Sequence, residues 1–220
     1  MSEVESRGLI GFDQETSRRN FLKTAAWTGA ALSAMGIGGF GVAVNRADAQ
    51  AAPYTTYEGL GDVAILQFAY QLELLEADFY AIGVESGLFA DTFLTQVAAI
   101  RDHEIAHAEA LAATIGDLGG EVPATPEFTY PDGVFTDVVA FLELAATFEP
   151  VGIGAYQGAA PALESKDILA VALSIHNTEC QHRAAINILN LVVPPNDVAF
   201  EEALPIADVQ AAVEPFGITG

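Results

Sequence analysis

Cysteine, tryptophan, methionine and histidine are all scarce in this chain. Its 220 residues include one cysteine, one tryptophan, two methionines and four histidines. A single cysteine excludes an intramolecular disulfide, and the lack of a Cys-x-x-Cys pair excludes a rubredoxin-type module. Stability must therefore come from packing and from any metal that binds. We interpret Cys180 as a buried structural cysteine.

Lysine and arginine are also scarce, and most of them lie near the N-terminus. From residue 50 onward the basic side chains are Arg101, Lys166 and Arg183, against 25 aspartates and glutamates, so the net charge of this part is −22. Such a surface repels nucleic acid and anionic lipid, which argues against both as partners. It suits salty surroundings, where ions screen the repulsion, or acidic ones, where carboxylates protonate. We expect a halophilic source.

Residues 1–49 have the pattern of an export signal. SRRNFLK at 17–23 precedes an apolar, glycine-rich run over 24–44, and Ala-Asp-Ala at 47–49 has the small-x-small form of a cleavage site. This pattern resembles a twin-arginine signal, which predicts the twin-arginine translocase as a partner during export and a periplasmic, cell-surface or extracellular location. The alternative is an uncleaved membrane anchor, because the run is just long enough to span a bilayer. After cleavage we expect no stable membrane insertion.

Apolar periodicity and helix-end signals predict four long helices and one short one. Asp62 and Asp91 are the expected N-caps of the first two helices, Gly116 the expected end of the second, and Pro194 with Pro195 the stop of the fourth. The predicted spans are Asp62 to Ser86, Asp91 to Ile115, Thr136 to Tyr156 and Ser165 to Val193, with a short helix at Ile206 to Val213.

The connections between these helices predict how they are arranged. The first two and the last two are joined by short links, 87–90 and 158–161, so each pair should form an antiparallel hairpin. Residues 116–135 are rich in glycine and proline and form a long connection. Hairpin, long crossover, hairpin is the topology of a ferritin-like bundle. We therefore predict an all-α fold, a ferritin-like four-helix bundle over 61–193, preceded by a linker at 50–60 and followed by an acidic, largely solvated tail at 194–220.

One chemical pattern occurs once in each hairpin. Glu104 and His107 form a Glu-x-x-His segment on the second helix, and Glu179 and His182 form another on the fourth, 75 residues later. Residues i and i+3 lie about 60° apart on a helix, so each glutamate and histidine can point at one spot. The alternative interpretation is a solvated helix face, but both segments have apolar neighbours.

The first and third helices carry a matching pair of residues. Glu73 is followed seven residues later by Tyr80, and Glu149 is followed by Tyr156 at the same spacing. Seven residues are two turns with about 20° of drift, so each tyrosine shares a face with its glutamate. Glu76 is the rival of Glu73, and Glu143 the rival of Glu149. Four carboxylates and two histidines on four helices are the ligand set of di-iron and di-manganese bundles.

This ligand set predicts a dinuclear site that binds two Fe or two Mn ions. Glu104 and Glu179 would bridge the ions, His107 and His182 would each bind one, and Glu73 and Glu149 would be terminal ligands. Tyr80 and Tyr156 are either core tyrosines or hydrogen-bond donors to these carboxylates, and we name them as the candidate catalytic residues. His103 and His176 are expected at the surface or beside the ligands. Pro150 should kink the third helix next to Glu149.

The segments LELLEADFY (72–80), HEIAH (103–107), EPVGIGAY (149–156) and ECQH (179–182) resemble a ferritin-like family, related to erythrin, vacuolar-iron and bacterioferritin proteins. The resemblance covers 61–191 and is to the exported kind sometimes linked with desiccation. It implies oxidation of Fe(II) by O2 or peroxide, or peroxide dismutation by a manganese relative. The alternatives are a non-enzymatic envelope or desiccation-protection bundle with a structural or vestigial site, and an iron-storage cage. Each of these functions is compatible with assembly as a homo-oligomer.

Overall fold

The computed structural model describes residues 56–218, and this part of the chain is helical, without β-strands. The predicted all-α class is confirmed. The export signal predicted for residues 1–49 lies outside the described residues. The helices are α1 Asp62–Glu85, α2 Asp91–Asp117, α3 Val138–Ala159, α4 Lys166–Leu189 and α5 Ile206–Val213, with single 3-10 turns at Ala160–Ala162 and Glu214–Phe216.

Four of these helices form the predicted bundle. α1 packs along α2 and α3 packs along α4, and the two hairpins meet where α1 faces α3 and α2 faces α4. The 20 residues of 118–137 connect α2 to α3 without forming a helix. The long crossover between the second and third helices is therefore present, and every helix of the bundle contributes one face to a shared interior.

The helix starts differ from the prediction at both aspartates. The N-cap of α1 is Gly61, and the carboxylate of Asp62 instead accepts hydrogen bonds from the backbone N–H groups of Glu164 and Ser165 at 2.8 and 3.0 Å. The N-cap of α2 is Ala90, so Asp91 lies in the first turn. The Asp62 contacts tie the start of α1 to the start of α4, which spacing along the sequence cannot reveal.

Two helices end in the backbone turn of a Schellman motif, and neither ends where predicted. α2 runs past Gly116 to Asp117, and the turn is made by Gly119 at φ +76° while the Gly120 N–H donates to the Ile115 carbonyl. α4 ends at Leu189, four residues before the predicted end. There Leu191 takes φ +60°, which is uncommon for a residue with a side chain. The two prolines follow this turn and do not make it.

Helix α3 continues through Pro150 without interruption. With the following turn, the span Val138–Ala162 is long and apolar enough to cross a membrane by length and composition, at a mean hydropathy of 1.5. Half of its apolar window is buried inside the domain. This is the behaviour expected of the central helix of a bundle, and α3 here contacts α1, α4 and α5.

The interior contains two large apolar clusters with the polar candidates between them, and a small third cluster around Tyr57, Ile65 and Ala159. An aromatic cluster includes Phe79, Tyr80 and Phe141, and the rings of Phe79 and Phe141 stack with centroids 4.3 Å apart. An aliphatic cluster includes Leu66, Leu111 and Tyr156. On each helix of the bundle, the candidate ligands lie between residues of the aromatic cluster and residues of the aliphatic cluster. The carboxylates and histidines therefore form a layer across the bundle that is covered by apolar side chains at both ends.

The C-terminal segment packs onto the bundle, in contrast to the solvated tail expected from its acidity. Arg183 of α4 contacts Asp197 at 2.6 Å and Glu201 at 2.7 Å. The Leu204 N–H donates to the Gly154 carbonyl at 2.9 Å. A Cβ at Gly154 would lie 2.5 Å from the side chain of Leu204, so the missing side chain is what allows this close approach.

Candidate metal centre

The structure brings all six predicted metal ligands together in the layer between the two apolar clusters. The four glutamates come from four different helices, and each is at most 3 % exposed. His182 is equally buried, and the side chain of His107 is 12 % exposed. Buried ionised groups are rarely tolerated without partners of opposite charge, so the layer needs cations or protons. The residues are Glu73, Glu104, His107, Glu149, Glu179 and His182.

The first group of donors, which we call position 1, is built around His107. Its Nδ1 atom lies 3.1 Å from Glu73 Oε2, 3.1 Å from Glu104 Oε2 and 3.0 Å from Glu179 Oε1. One donor atom from each of these four residues falls within 4.8 Å of all the others. Three carboxylates and one imidazole around one point suit a divalent ion such as Fe(II) or Mn(II).

The second group, which we call position 2, is built around His182. Its Nδ1 atom lies 2.7 Å from Glu104 Oε1, 3.4 Å from Glu179 Oε2 and 3.9 Å from Glu149 Oε2. Glu104 and Glu179 each offer one oxygen to position 1 and the other to position 2. Each of these two carboxylates therefore lies between the two histidines, which is the placement that the predicted bridging role requires.

The layer contains one further glutamate, Glu76, which the sequence analysis names only as the rival of Glu73. In the structure Glu76 is 6 % exposed, and donor atoms of Glu76, Glu149 and Glu179 lie within 4.8 Å of one another. Its position three residues after Glu73 was the available signal, because that spacing puts both glutamates on one face of α1.

The unpartnered atoms of the layer fit metal ions. The buried atoms without a hydrogen bond include Glu76 Oε2, Glu104 Oε1, Glu149 Oε2, both oxygens of Glu179 and His182 Nδ1. Glu104 Oε1 and His182 Nδ1 form an ion pair at 2.7 Å, although neither atom has a hydrogen bond of acceptable geometry. Buried oxygens and nitrogens that converge on one region with so few hydrogen bonds fit a set of metal donors, since unpaired buried polar atoms are otherwise costly.

The protonation equilibria of the metal-free layer reflect an excess of carboxylates over imidazoles. Burial, followed by the charge of Glu179, raises the pKa of Glu73 and outweighs its contact with His107. Burial opposes ionisation of Glu104 too, but the imidazoles of His107 and His182 outweigh it and lower its pKa to about 2. The carboxylates likewise overcome burial at the histidines and raise the pKa of His107 to about 12 and that of His182 to about 10.

Both candidate tyrosines donate hydrogen bonds to terminal carboxylates. The hydroxyl of Tyr80 donates to Glu149 Oε1, and the hydroxyl of Tyr156 donates to Glu73 Oε1. Both rings are buried, Tyr80 in the aromatic cluster and Tyr156 in the aliphatic cluster. The tyrosines therefore hold the carboxylates in place from the two ends of the layer.

The remaining candidates lie at the edge of the layer or outside it. Glu143, the rival of Glu149, is exposed. His103 is also exposed, and its Nδ1 atom lies 2.9 Å from Nε2 of His182, on the side of that ring away from the carboxylates. His176 is half-buried, 4.0 Å from the sulfur of Cys180, which is half-buried as well.

Comparison with known families agrees with this geometry. A family model described as a ferritin-like domain matches residues 61–191, the same span as the sequence resemblance. A comparison with curated proteins gives no significant match.

Proposed function

The chain belongs to the ferritin-like domain family, and we propose that it holds two iron or two manganese ions in a carboxylate-bridged centre that acts on Fe(II), O2 or peroxide. The observation that carries this proposal is the sharing of Glu104 and Glu179 between positions 1 and 2, each with one oxygen near His107 and the other near His182. A site for one ion would not require two carboxylates that each lie between two separate groups of donors. Carboxylate and imidazole donors favour iron and manganese over softer metals.

Each part of the layer has a task in this proposal. A bound pair of such ions would supply the redox chemistry that reaction with O2 or peroxide requires. Glu73 and Glu149 hold the outer side of each position, and Tyr156 and Tyr80 fix their orientation through hydrogen bonds. The two apolar clusters exclude water from the layer, which strengthens every electrostatic contact inside it.

Export belongs to the same proposal. The residues SRRNFLK support passage through the twin-arginine translocase, which carries proteins already folded. A centre of this kind can then be loaded with metal before the chain leaves the cytoplasm. The acidic composition supports work in a salty or acidic exterior, where protection against desiccation would be useful.

The depth of the layer favours a second candidate function. Glu104 and Glu149 are fully buried, so O2 or peroxide would have to pass between packed side chains to reach them. A bundle whose metal ions only stabilise the fold, kept for protection of the envelope, needs no such access.

Elemental analysis of the full-length, exported protein, purified without chelator, tests the main proposal. We expect about two Fe or Mn per chain in the wild type and in Glu143→Ala, which changes an exposed glutamate of α3, and loss of both ions in Glu104→Ala. Fe(II) oxidation and peroxide consumption by the loaded protein separate the two functions. Absence of metal from the wild type would overturn both, whereas two ions without either activity would support the structural role.

A further inference from the structure

The two halves of the layer follow one repeat, and this repeat is broken at Glu76. Glu73 and Glu149 are 76 residues apart, as are Tyr80 and Tyr156. The residue that corresponds to Glu76 is therefore residue 152, which is glycine. Helix α1 thus contributes two carboxylates to the layer, and α3 contributes one.

Gly152 lies directly against the carboxylate of Glu76. A Cβ built on Gly152 would be 3.0 Å from Glu76 Oε1 and 4.0 Å from Glu179 Oε2, and Gly152 is buried. The missing side chain on α3 therefore leaves the space that the extra side chain of α1 occupies. A glycine inside a helix costs about 1 kcal/mol relative to alanine, so its use here calls for a packing reason, and the carboxylate provides one.

Glu76 has no partner that explains its burial. Its Oε2 atom is buried without a hydrogen bond. Within residues 56–218, no lysine, arginine or histidine forms an ion pair with it. One donor atom from each of Glu76, Glu149 and Glu179 lies within 4.8 Å of the other two. Glu149 belongs to position 2 and Glu179 is shared, so the oxygens of Glu76 lie on the side of position 2.

We infer that Glu76 is a seventh metal ligand, which serves position 2 and makes the two positions chemically unequal. This inference rests on the proposed dinuclear centre. Position 1 has three carboxylates and one imidazole, and position 2 has four carboxylates and one imidazole. The additional negative charge makes position 2 the stronger site for a hard cation.

Titration of the metal-free full-length protein with Mn(II), followed by electron paramagnetic resonance of the free ion, tests the assignment. We expect two ions in the wild type. Glu76→Gln, which keeps the shape of the side chain and removes its charge, should weaken one of them by about tenfold to a hundredfold and leave the other unchanged. Gly152→Ala should weaken the same ion, because the added Cβ displaces the carboxylate. Its control is Gly116→Ala, where a Cβ meets open space.

Double variants identify which ion is affected. Glu76→Gln with His107→Gln, which removes a donor of position 1, should weaken both ions. Glu76→Gln with His182→Gln acts twice on position 2 and should leave one ion bound at wild-type affinity. Circular dichroism verifies that each variant is folded.

Three outcomes overturn the inference. Unchanged affinities in Glu76→Gln would remove Glu76 from the ligands while the dinuclear centre stands. A third ion in the wild type, lost in Glu76→Gln while the other two are unaffected, would make Glu76 part of a separate site. Binding of no Mn(II) by the wild type and by Gly116→Ala would overturn the dinuclear centre itself, and the seventh ligand with it.

Discussion

The hydroxyl of Tyr80 on α1 donates its hydrogen bond to Glu149 on α3, and the hydroxyl of Tyr156 on α3 donates to Glu73 on α1. Each tyrosine thus contacts the glutamate of the opposite helix and not the one seven residues before it. The exchange couples the two hairpins, because neither terminal carboxylate is held in place by a tyrosine of its own helix.

This exchange predicts which pairs of substitutions are coupled. Tyr80→Phe should destabilise the metal-free protein by about 1–2 kcal/mol, since a buried carboxylate loses its donor. A double-mutant cycle of Tyr80→Phe with Glu149→Gln should give a coupling energy of about 0.5–3 kcal/mol, and the cycle with Glu73→Gln a smaller one. Urea unfolding measures both. Tyr70→Phe, at a half-buried tyrosine of α1, is the matched control. Equal coupling to both glutamates would contradict the exchange.

The metal-free protein should lose stability as the pH rises above about 4.5. Burial raises the pKa of Glu73, Glu76 and Glu149, so these groups bind protons more tightly in the folded state than in the unfolded state. Their stabilising contribution is complete below the unfolded pKa and is lost as the pH rises. His107 and His182, with pKa values raised to about 12 and about 10, add a further loss above about pH 6.5.

The ionisation of Glu104 affects stability in the opposite direction, at acidic pH. Its pKa is lowered to about 2, so its contribution is present above about pH 4.5 and is lost as the pH falls towards 2. Urea unfolding of the chelated protein between pH 3 and 9 should therefore show a maximum near pH 4–5, by order of magnitude from these values. Above this maximum, Glu76→Gln should make the fall in unfolding free energy less steep by up to about 1.4 kcal/mol per pH unit. Glu143→Gln, at an exposed glutamate, should leave that slope unchanged. A stability that increases towards neutral pH would refute this account.

Gly83→Ala should be destabilising, although alanine is the better helix former. A Cβ at Gly83 would lie 2.3 Å from Phe141 Cε2, and that ring is stacked on Phe79 in the aromatic cluster. We expect a loss of about 1–3 kcal/mol from overpacking. Gly116→Ala, exposed on α2 with open space around the added carbon, should instead stabilise the protein by about 0.5–1 kcal/mol. A lower unfolding temperature for Gly83→Ala and a higher one for Gly116→Ala would verify the contact between Gly83 and Phe141. A higher unfolding temperature for both variants would disprove it.

Arg183→Ala should release the C-terminal segment from α4. The Arg183 side chain is largely buried, and it donates to both Asp197 and Glu201. We expect a loss of about 1–3 kcal/mol, because charge-assisted hydrogen bonds to two carboxylates disappear together. Limited proteolysis should then cut faster within residues 194–205. Lys166→Ala is the control, since Lys166 is exposed and forms no ion pair within residues 56–218. Unchanged proteolysis would mean that Leu204 and its contacts with α3 hold the segment alone.

Spacing along the sequence is sufficient for most of the site because a helix fixes the direction of each side chain relative to its neighbours three, four and seven residues away. The pairs Glu104 with His107 and Glu179 with His182 therefore point inward together, as predicted. The order of short and long connections likewise determines how the bundle is arranged. Two helices joined by a short link must pack against each other as an antiparallel pair. These features depend on local geometry and apolar periodicity.

Contacts between helices depend on how far the helices are shifted and rotated against each other, and only the tertiary structure decides this. The burial of Glu76 requires the space beside Gly152, a residue 76 positions away on another helix. The partners of Tyr80 and Tyr156 are set by the same packing, and so are the Asp62 contacts at the start of α4. The end of α4 at Leu189 likewise follows from the backbone turn at Leu191, whose positive φ is disfavoured by residue type alone. The sequence by itself determined the helices and the six ligands that face inward, because both follow from distances within one helix. The tertiary structure decided which donor atoms meet and that Glu76 joins them, because these follow from distances between helices.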